Sequence, residues 1–442
     1  MQFNDLAKKT IALAAIALMG AAVAACGDSD NGPKTPENCT AVFPPSNDDD
    51  QASLREALLD AEPGDRLCLT EGEYIIKRQL DIDRPGVTLI GVGREATMLD
   101  YSQATAGGAR GVYITGDDVT LQGLTVAHTQ GDAVEANTVR NIVFRDVGVY
   151  WDCECVEGNA ASCTPCSQNG AYGLYPVKAT GVIIDNCYAY GAADAGIYVG
   201  QSKYVLVKDS VAEMNFAGIE IENTTDAEVV DNVAFDNTAG ILIFNLPGPE
   251  IQGGERTLAH RNEVYENNTP NFARVGSIVS QTPPGTGFMI LASDYNEIRN
   301  NEIRDNISHG VLIVNYLDLL GSDGKANPNF NLVSMGNWIH TNNFVGNGVT
   351  PKAFSQLVKL YLGGIERMPD VVYDGCEAEL EPDEEFAPNC MQNNGDATYA
   401  NFKYCKVGGG GAAAEAGENE PEHGPIDCAY NPVASQTGVA PN

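Results

Sequence analysis

Ala195-Gly196-Ile197-Tyr198-Val199, Ala217-Gly218-Ile219-Glu220-Ile221 and Ala239-Gly240-Ile241-Leu242-Ile243 are one phrase written three times, 22 residues apart. Within it apolar residues alternate with variable ones, the period of a half-buried strand. The phrase returns at Gly173-Leu174, Gly287-Phe288-Met289-Ile290 and Gly310-Val311-Leu312-Ile313, and in weaker form at Gly111-Val112-Tyr113-Ile114 and Ala133-Val134-Glu135-Ala136. Later in each unit comes a second short apolar stretch, as at Ile142/Phe144, Val205/Val207 and Ile298. An Asn follows it, with another five residues on: Asn232/Asn237, Asn262/Asn267, Asn301/Asn306 and Asn337/Asn342. A repeat of this length decides the architecture before any single element does.

The unit described is strand, turn, strand, turn. Such coils stack about 4.8 Å apart, so like residues align and Asn side chains can form hydrogen-bonded ladders at the bends. One coil cannot bury its apolar face, so the stack is the folding unit. A leucine-rich repeat has an overlapping period, but it carries one strand per unit and an L-x-x-L-x-L-x-x-N phrase absent here. The fold class is therefore all-β, a single-stranded parallel β-helix of about ten coils, a rod of about 50 Å.

Both ends of such a stack expose open core and need covers. Ser53-Leu54-Arg55-Glu56 has a capping-box pattern and predicts an amphipathic helix to about Asp60 as the N-terminal lid. Beyond about Asn347 the repeat stops; Lys352–Leu362 predicts a helix, and the segment holding Cys376, Cys390, Cys405 and Cys428 predicts a disulfide-stapled C-terminal cap. The expected organisation is a signal segment over 1–25, a tether over 26–37, the β-helix with its N-terminal cap over 38–348 and the C-terminal cap over 349–442.

Lys8 and Lys9 followed by the apolar run Thr10–Ala22 form an export signal, too short and Ala-rich to span a membrane. The run ends in Val23-Ala24-Ala25-Cys26, which resembles the lipobox of bacterial lipoproteins and makes Cys26 the expected lipidation site. Gly27 follows where an inner-membrane retention Asp would stand, so the expectation is an outer-membrane lipoprotein at the cell surface or on the periplasmic side. Of 12 cysteines, Cys26 aside, eleven lie in an oxidising compartment where disulfides are expected. Cys39 and Cys68 lie near the start. Cys153, Cys155, Cys163 and Cys166 share one loop, with two disulfides weighed against a metal site. Cys187 stands alone as the expected free thiol.

The chain of 442 residues carries 26 Lys+Arg against 60 Asp+Glu, a formal charge of -34. Nucleic acid is thereby excluded as a partner, because phosphates require a basic footprint. A polyanionic glycan meets the same repulsion unless cations bridge it.

Pro63-Gly64-Asp65, the run Gly191–Ser202, Gly218–Asn223 and Asn393-Asn394-Gly395-Asp396-Ala397 resemble the parallel β-helix repeat-containing family of bacterial exported and lipid-anchored proteins. The resemblance runs from about Glu37 to Asn442 and implies the right-handed, pectate-lyase-like class. It implies no particular reaction. It does imply an exported protein partner, in some relatives a c-type cytochrome. The Asp-pair phrases of pectin hydrolases, the Asp-Pro-His motif of mannuronan epimerases and the Lys/Arg pair of alginate lyases are all absent.

Aligning the coils puts Glu135, Tyr175, Tyr198, Glu220, Leu242, Met289 and Leu312 at one outward position of the first strand. Asn137, Val177, Gly200, Glu222, Phe244, Leu291 and Val314 take the next. Aromatic faces beside carboxylates and amides suit a sugar, which offers apolar ring faces and many hydroxyls. The candidate catalytic residues are Glu220, Glu222, Tyr198 and Lys178; the candidate ligand-binding residues are Glu135, Tyr175, Asp194, Gln201, Asn223 and Asn245. Insertions at Cys153–Cys166, Asn268–Gly285, Pro247–Glu255 and after Tyr316 are expected to wall this face into a cleft. Hydrolysis would use Glu220 and Glu222. Uronate chemistry would use Lys178 or a tyrosine as base, with Ca²⁺ held by the glutamates. Ca²⁺ is the one cofactor considered, and no metal-ligating set is assigned. His128, His260, His309 and His340 read as polar turn or surface residues. The expected function is a monomeric, lipid-anchored protein that binds, and in the wider reading cleaves or modifies, a carbohydrate in the first-strand cleft. The rival is a non-catalytic scaffold for an exported partner.

Overall fold

The computed structural model describes residues 34–46, 51–104, 110–154, 162, 166–273, 278–316, 330–375, 387–402 and 427–436. Its strands wind into a right-handed parallel β-helix with three strand positions per coil. Eleven first strands, from Leu80–Ile82 to Tyr399–Asn401, make one parallel sheet. The second and third strands make a twenty-stranded sheet. They form one sheet because Thr120–Ala127 and Arg140–Tyr150 each span both positions as a single strand, pairing on either side of the left-handed Gly123 and Asp146.

The register is the one the repeated phrase predicts. Ile197, Ile219, Ile241, Phe288 and Val311 align in one column, all fully buried inside the coil. The glycine of the phrase answers to close approach: a Cβ on Gly218 would lie 2.7 Å from the Gly240 carbonyl and 2.8 Å from the Asn237 amide nitrogen.

Three asparagine ladders hold the bends. In the first, Asn232 donates from both its backbone N–H and its Nδ2 to Asn262 Oδ1, at 3.0 Å each. Asn262, Asn301, Asn342 and Asn394 continue it. The second runs Asn215, Asn237, Asn267, Asn306, Asn347. The third, Asn296, Asn337, Asn389, lies at the bend after the first strand. Asn342 thus stacks on Asn301 and Asn347 on Asn306, so the 337/342 pair is not the counterpart of 301/306; it belongs one bend earlier. Ahead of the ladder residues Asp231, Arg261, Asn300 and Thr341 take left-handed backbone, φ between 54° and 57°, a conformation Asn and Asp tolerate best among these. Cys187 stands at the head of the first ladder, its N–H donating to Ser210 Oγ at 3.0 Å. It is a buried free thiol.

The lid helix α1, Ala52–Leu59, buries Leu54 and Leu58. It starts one residue before Ser53, so the capping box does not form. Gln51 takes the cap position in left-handed backbone, with no side-chain capping bond; its amide instead bonds Ser46. Helix α2, Phe354–Tyr361, lies within the span predicted. The coils continue past Asn347: Val371–Tyr373 and Tyr399–Asn401 extend the first-strand sheet and Cys390–Gln392 the second. The last coils therefore lie beyond residue 348, with α2 preceding their strands.

Cys39 pairs with Cys68, Cys153 with Cys166 and Cys390 with Cys428. The Cys153–Cys166 bond removes two thiolates from any four-cysteine metal site in that loop. Cys26, Cys155, Cys163, Cys376 and Cys405 lie outside the described residues. From Cys428 the chain runs back along the outside of the second strands. The Val433 N–H donates to Glu297 at 2.7 Å and the Ser435 hydroxyl to Glu228 at 2.7 Å. The same carboxylates meet His340 at 3.0 Å and His260 at 2.8 Å. Among the described residues no helix is long and apolar enough to cross a membrane.

Candidate functional site

The first-strand sheet brings Glu135, Tyr175, Tyr198 and Glu220 side by side on successive coils, and Gly200 beside Glu222 in the next column. Gly200 decides the local geometry. A Cβ there would fall 2.4 Å from Tyr198 Cε1 and 2.5 Å from its hydroxyl, so the Tyr198 ring lies over Gly200. From there its hydroxyl hydrogen-bonds Glu222. Glu222 is further joined to Glu220 by a carboxyl–carboxyl hydrogen bond.

Burial, then the charges of Asp194 and Glu222, push the Glu220 carboxyl well above the usual range, so it keeps its proton. Burial, with Asp194 adding to it, lifts Glu222 to about 7, while the hydrogen bonds from Tyr198 and Glu220 hold it down. One proton is shared where two carboxylates would repel. Glu220 Oε2 has no hydrogen-bond partner among the described residues. Tyr172, which the repeat did not single out because it precedes the strand phrase, packs its ring 4.5 Å from Tyr198 and 4.7 Å from Tyr175. Burial raises both Tyr172 and Tyr198 well above the ordinary phenol value, and neighbouring carboxylates raise them further.

This face is not the open cleft that the insertions suggested. Tyr198 is 4% exposed, Glu220 2% and Glu222 7%. The reason is apolar: Phe244, Leu291 and Val314 on the neighbouring coils draw Phe272, Tyr316, Phe330 and Leu332 of the insertions down onto them in a second core. Tyr172, Tyr175 and Asp194, half-buried, form the rim of the carboxyl pair.

The remaining candidates take separate places. Glu135 pairs with Arg110 and accepts from Asn137 at 2.9 Å; beside it Asp132 is raised to about 6, chiefly by burial. Lys178 pairs with Glu250 of the insertion. Gln201 accepts from the Ile251 N–H at 3.0 Å. Asn223 grips Leu246 through both its backbone groups, at 3.0 Å each. These three residues at the bend after the first strand therefore hold the 247–255 insertion in place.

Asn245, next in that column, does something else. Its Nδ2 donates to the Gly254 carbonyl at 2.9 Å, but its Oδ1, in a residue 4% exposed, meets no donor among the described residues. Asn245 lines a cavity of about 340 Å³ with Thr225, Gln252, Gly253, Gly254, Glu255, Asp294, Phe330 and Asn331. The opening thus lies round the bend from the carboxyl pair.

No group of three or more metal-ligating side chains occurs among the described residues. The histidines are dispersed but not all superficial. His309 is fully buried, bonds Ser355 Oγ at 2.6 Å and is pushed down to about 3 by that burial. His260 is buried against Glu228.

Residues 110–253 match a family model described as a right-handed β-helix region. No curated protein matches the sequence. Among solved structures the chain is similar to a polygalacturonase from Erwinia carotovora ssp. carotovora, at 12% identity over 83% of this chain and 96% of that one, TM-score 0.49. It is also similar to the A-module of the mannuronan C-5 epimerase AlgE4 from Azotobacter vinelandii, at 13% identity over 78% and 91%, TM-score 0.47. A third is a DFA-IIIase from Arthrobacter chlorophenolicus A6, at 11% identity over 79% and 88%, TM-score 0.39.

Proposed function

We propose that this right-handed parallel β-helix protein binds a carbohydrate in the cavity beside Asn245 and does not hydrolyse it. The observation that carries the reading is the cavity itself, lined by Phe330 and by Asn245, whose buried Oδ1 has no partner among the described residues. A buried acceptor without a donor costs about 1–3 kcal/mol, and a sugar hydroxyl removes that cost while Phe330 faces the C–H side of a ring. The volume is at the low end for ligand sites, with room for about one or two sugar rings.

The carboxyl pair argues against hydrolysis. Hydrolases hold their two carboxyl groups about 5–5.5 or 6.5–9.5 Å apart with the scissile bond between them, whereas Glu220 and Glu222 leave the same strand two residues apart and are both buried, so the pair is not presented to a glycosidic bond. Elimination fares no better: burial raises Tyr198 and Tyr175, which disfavours either as a base, and Lys178 is engaged by Glu250.

The proposal also places the protein outside the cytoplasm, tethered through Cys26 at the outer membrane. The lipobox-like Val23–Cys26 supports it, as do three disulfides, which persist in oxidising compartments.

A glycan array, run with Ca²⁺ and with chelator, tests the reading. Asn245→Ala is expected to weaken each hit about tenfold, the value of one buried hydrogen bond, with circular dichroism unchanged. Silence across the array would remove the carbohydrate reading and turn the search to a scaffold role, detected by pull-down of exported partners with the anchored chain.

A further inference from the structure

The side chains around the cavity differ sharply in what they have left to offer. Three amides line it, and each already donates within the protein: Asn245 Nδ2 to Gly254 O, Gln252 Nε2 to Pro249 O at 3.2 Å and Asn331 Nδ2 to Asp294 at 2.8 Å. The remaining polar side chains are the Thr225 hydroxyl and two carboxylates, Glu255 and Asp294. Arg256 pairs with Glu255 and with Asp226, which offsets part of that charge. No Lys or Arg lines the cavity among the described residues.

An unpartnered buried acceptor beside two carboxylates calls for a ligand rich in donors, and the strongest such group is an ammonium, with three N–H donors and no acceptor. A uronate would bring a third carboxylate into the same space. The whole chain, at a formal -34, attracts cations and repels anions at long range.

We propose that the cavity selects an amino sugar with a free amine, so that the ligand is a cationic, hexosamine-containing glycan. This rests on the carbohydrate reading above and narrows it to a substrate class. The ammonium sits between Asn245 Oδ1 and the carboxylates of Asp294 and Glu255, and the ring lies against Phe330.

The test compares three β-1,4-linked tetramers on the purified full chain: glucosamine with free amines, its N-acetylated form, and glucose. The free-amine tetramer is expected to bind at least tenfold more tightly than the other two at low salt. Screening should shrink that margin at high salt. Glu255→Gln keeps side-chain shape and leaves Arg256 its Asp226 partner, so it is expected to lower the ratio of free-amine to glucose-tetramer affinity at least threefold. Asp294→Asn gives a second reading of the same effect. Equal binding of all three tetramers overturns the amine proposal and leaves carbohydrate binding standing. A uronate oligomer binding more tightly than the free-amine tetramer overturns it as well. Absence of binding to these tetramers and to the whole array removes both readings.

Discussion

Gly200 has no side chain because Tyr198 occupies the space that a side chain would fill. Gly200→Ala is expected to displace the ring, break its bond to Glu222 and lower stability by about 1–3 kcal/mol, measured by denaturant unfolding. The carboxyl pair predicts an unusual pH dependence. A carboxyl raised when folded holds a proton that the unfolded chain releases, so its stabilising contribution is complete below about 4.5 and is lost as pH rises through about 7. His309, lowered to about 3 from 6.5, acts in the opposite sense: its contribution is lost as pH falls below 6.5. Glu222→Gln should therefore flatten the decline in stability between pH 4.5 and 7.5 relative to the natural protein. An unchanged slope would mean that Glu222 does not hold the proton. The residues of this cluster were legible from the repeat, since a fixed register places Tyr198 against Glu220. Their burial was not, because it depends on how insertions far along the chain fold back, and no local pattern encodes that.

A coil is held to its neighbours by its bends as much as by its strands. Asn262→Ala strips the acceptor from both the Asn232 N–H and its Nδ2, and the donor from Val229 O. Each stranded group costs about 1–3 kcal/mol, and hydrogen exchange should rise first at residues 231–233 and 261–263. A Ser at this position, as in Ser210 two coils earlier in the column, should recover part of the loss. Strand phrases and ladder asparagines could be read because each repeats in register. The Asn337/Asn342 pairing was misread since the long excursion after Tyr316 hides which bend the next Asn belongs to. The capping box at Ser53 failed for a different reason: Gln51 reaches Ser46 and starts the helix early, a contact that a four-residue motif cannot register.

Along the rod as a whole, the segment 427–436 ties the last coil back to the middle. Its disulfide closes a 38-residue span, and such a link contributes about 2–4 kcal/mol. Cys428→Ser is expected to lower the unfolding midpoint and to expose 427–436 to exchange while the first-strand coils stay protected. Uniform loss of protection would show that the segment is needed for the rod itself. The excursion of the chain past Asn347 into further coils was invisible in sequence, because α2 and the 376–386 stretch interrupt the 22-residue period. Glu228 waits for Gln436, 208 residues further along the chain. Glu297 waits for Val433 in the same way, 136 residues on. Until that last segment docks, the middle coils present both carboxylates to any other donor of backbone N–H groups, so in a folding chain this stretch of the surface is a berth held open for its own tail.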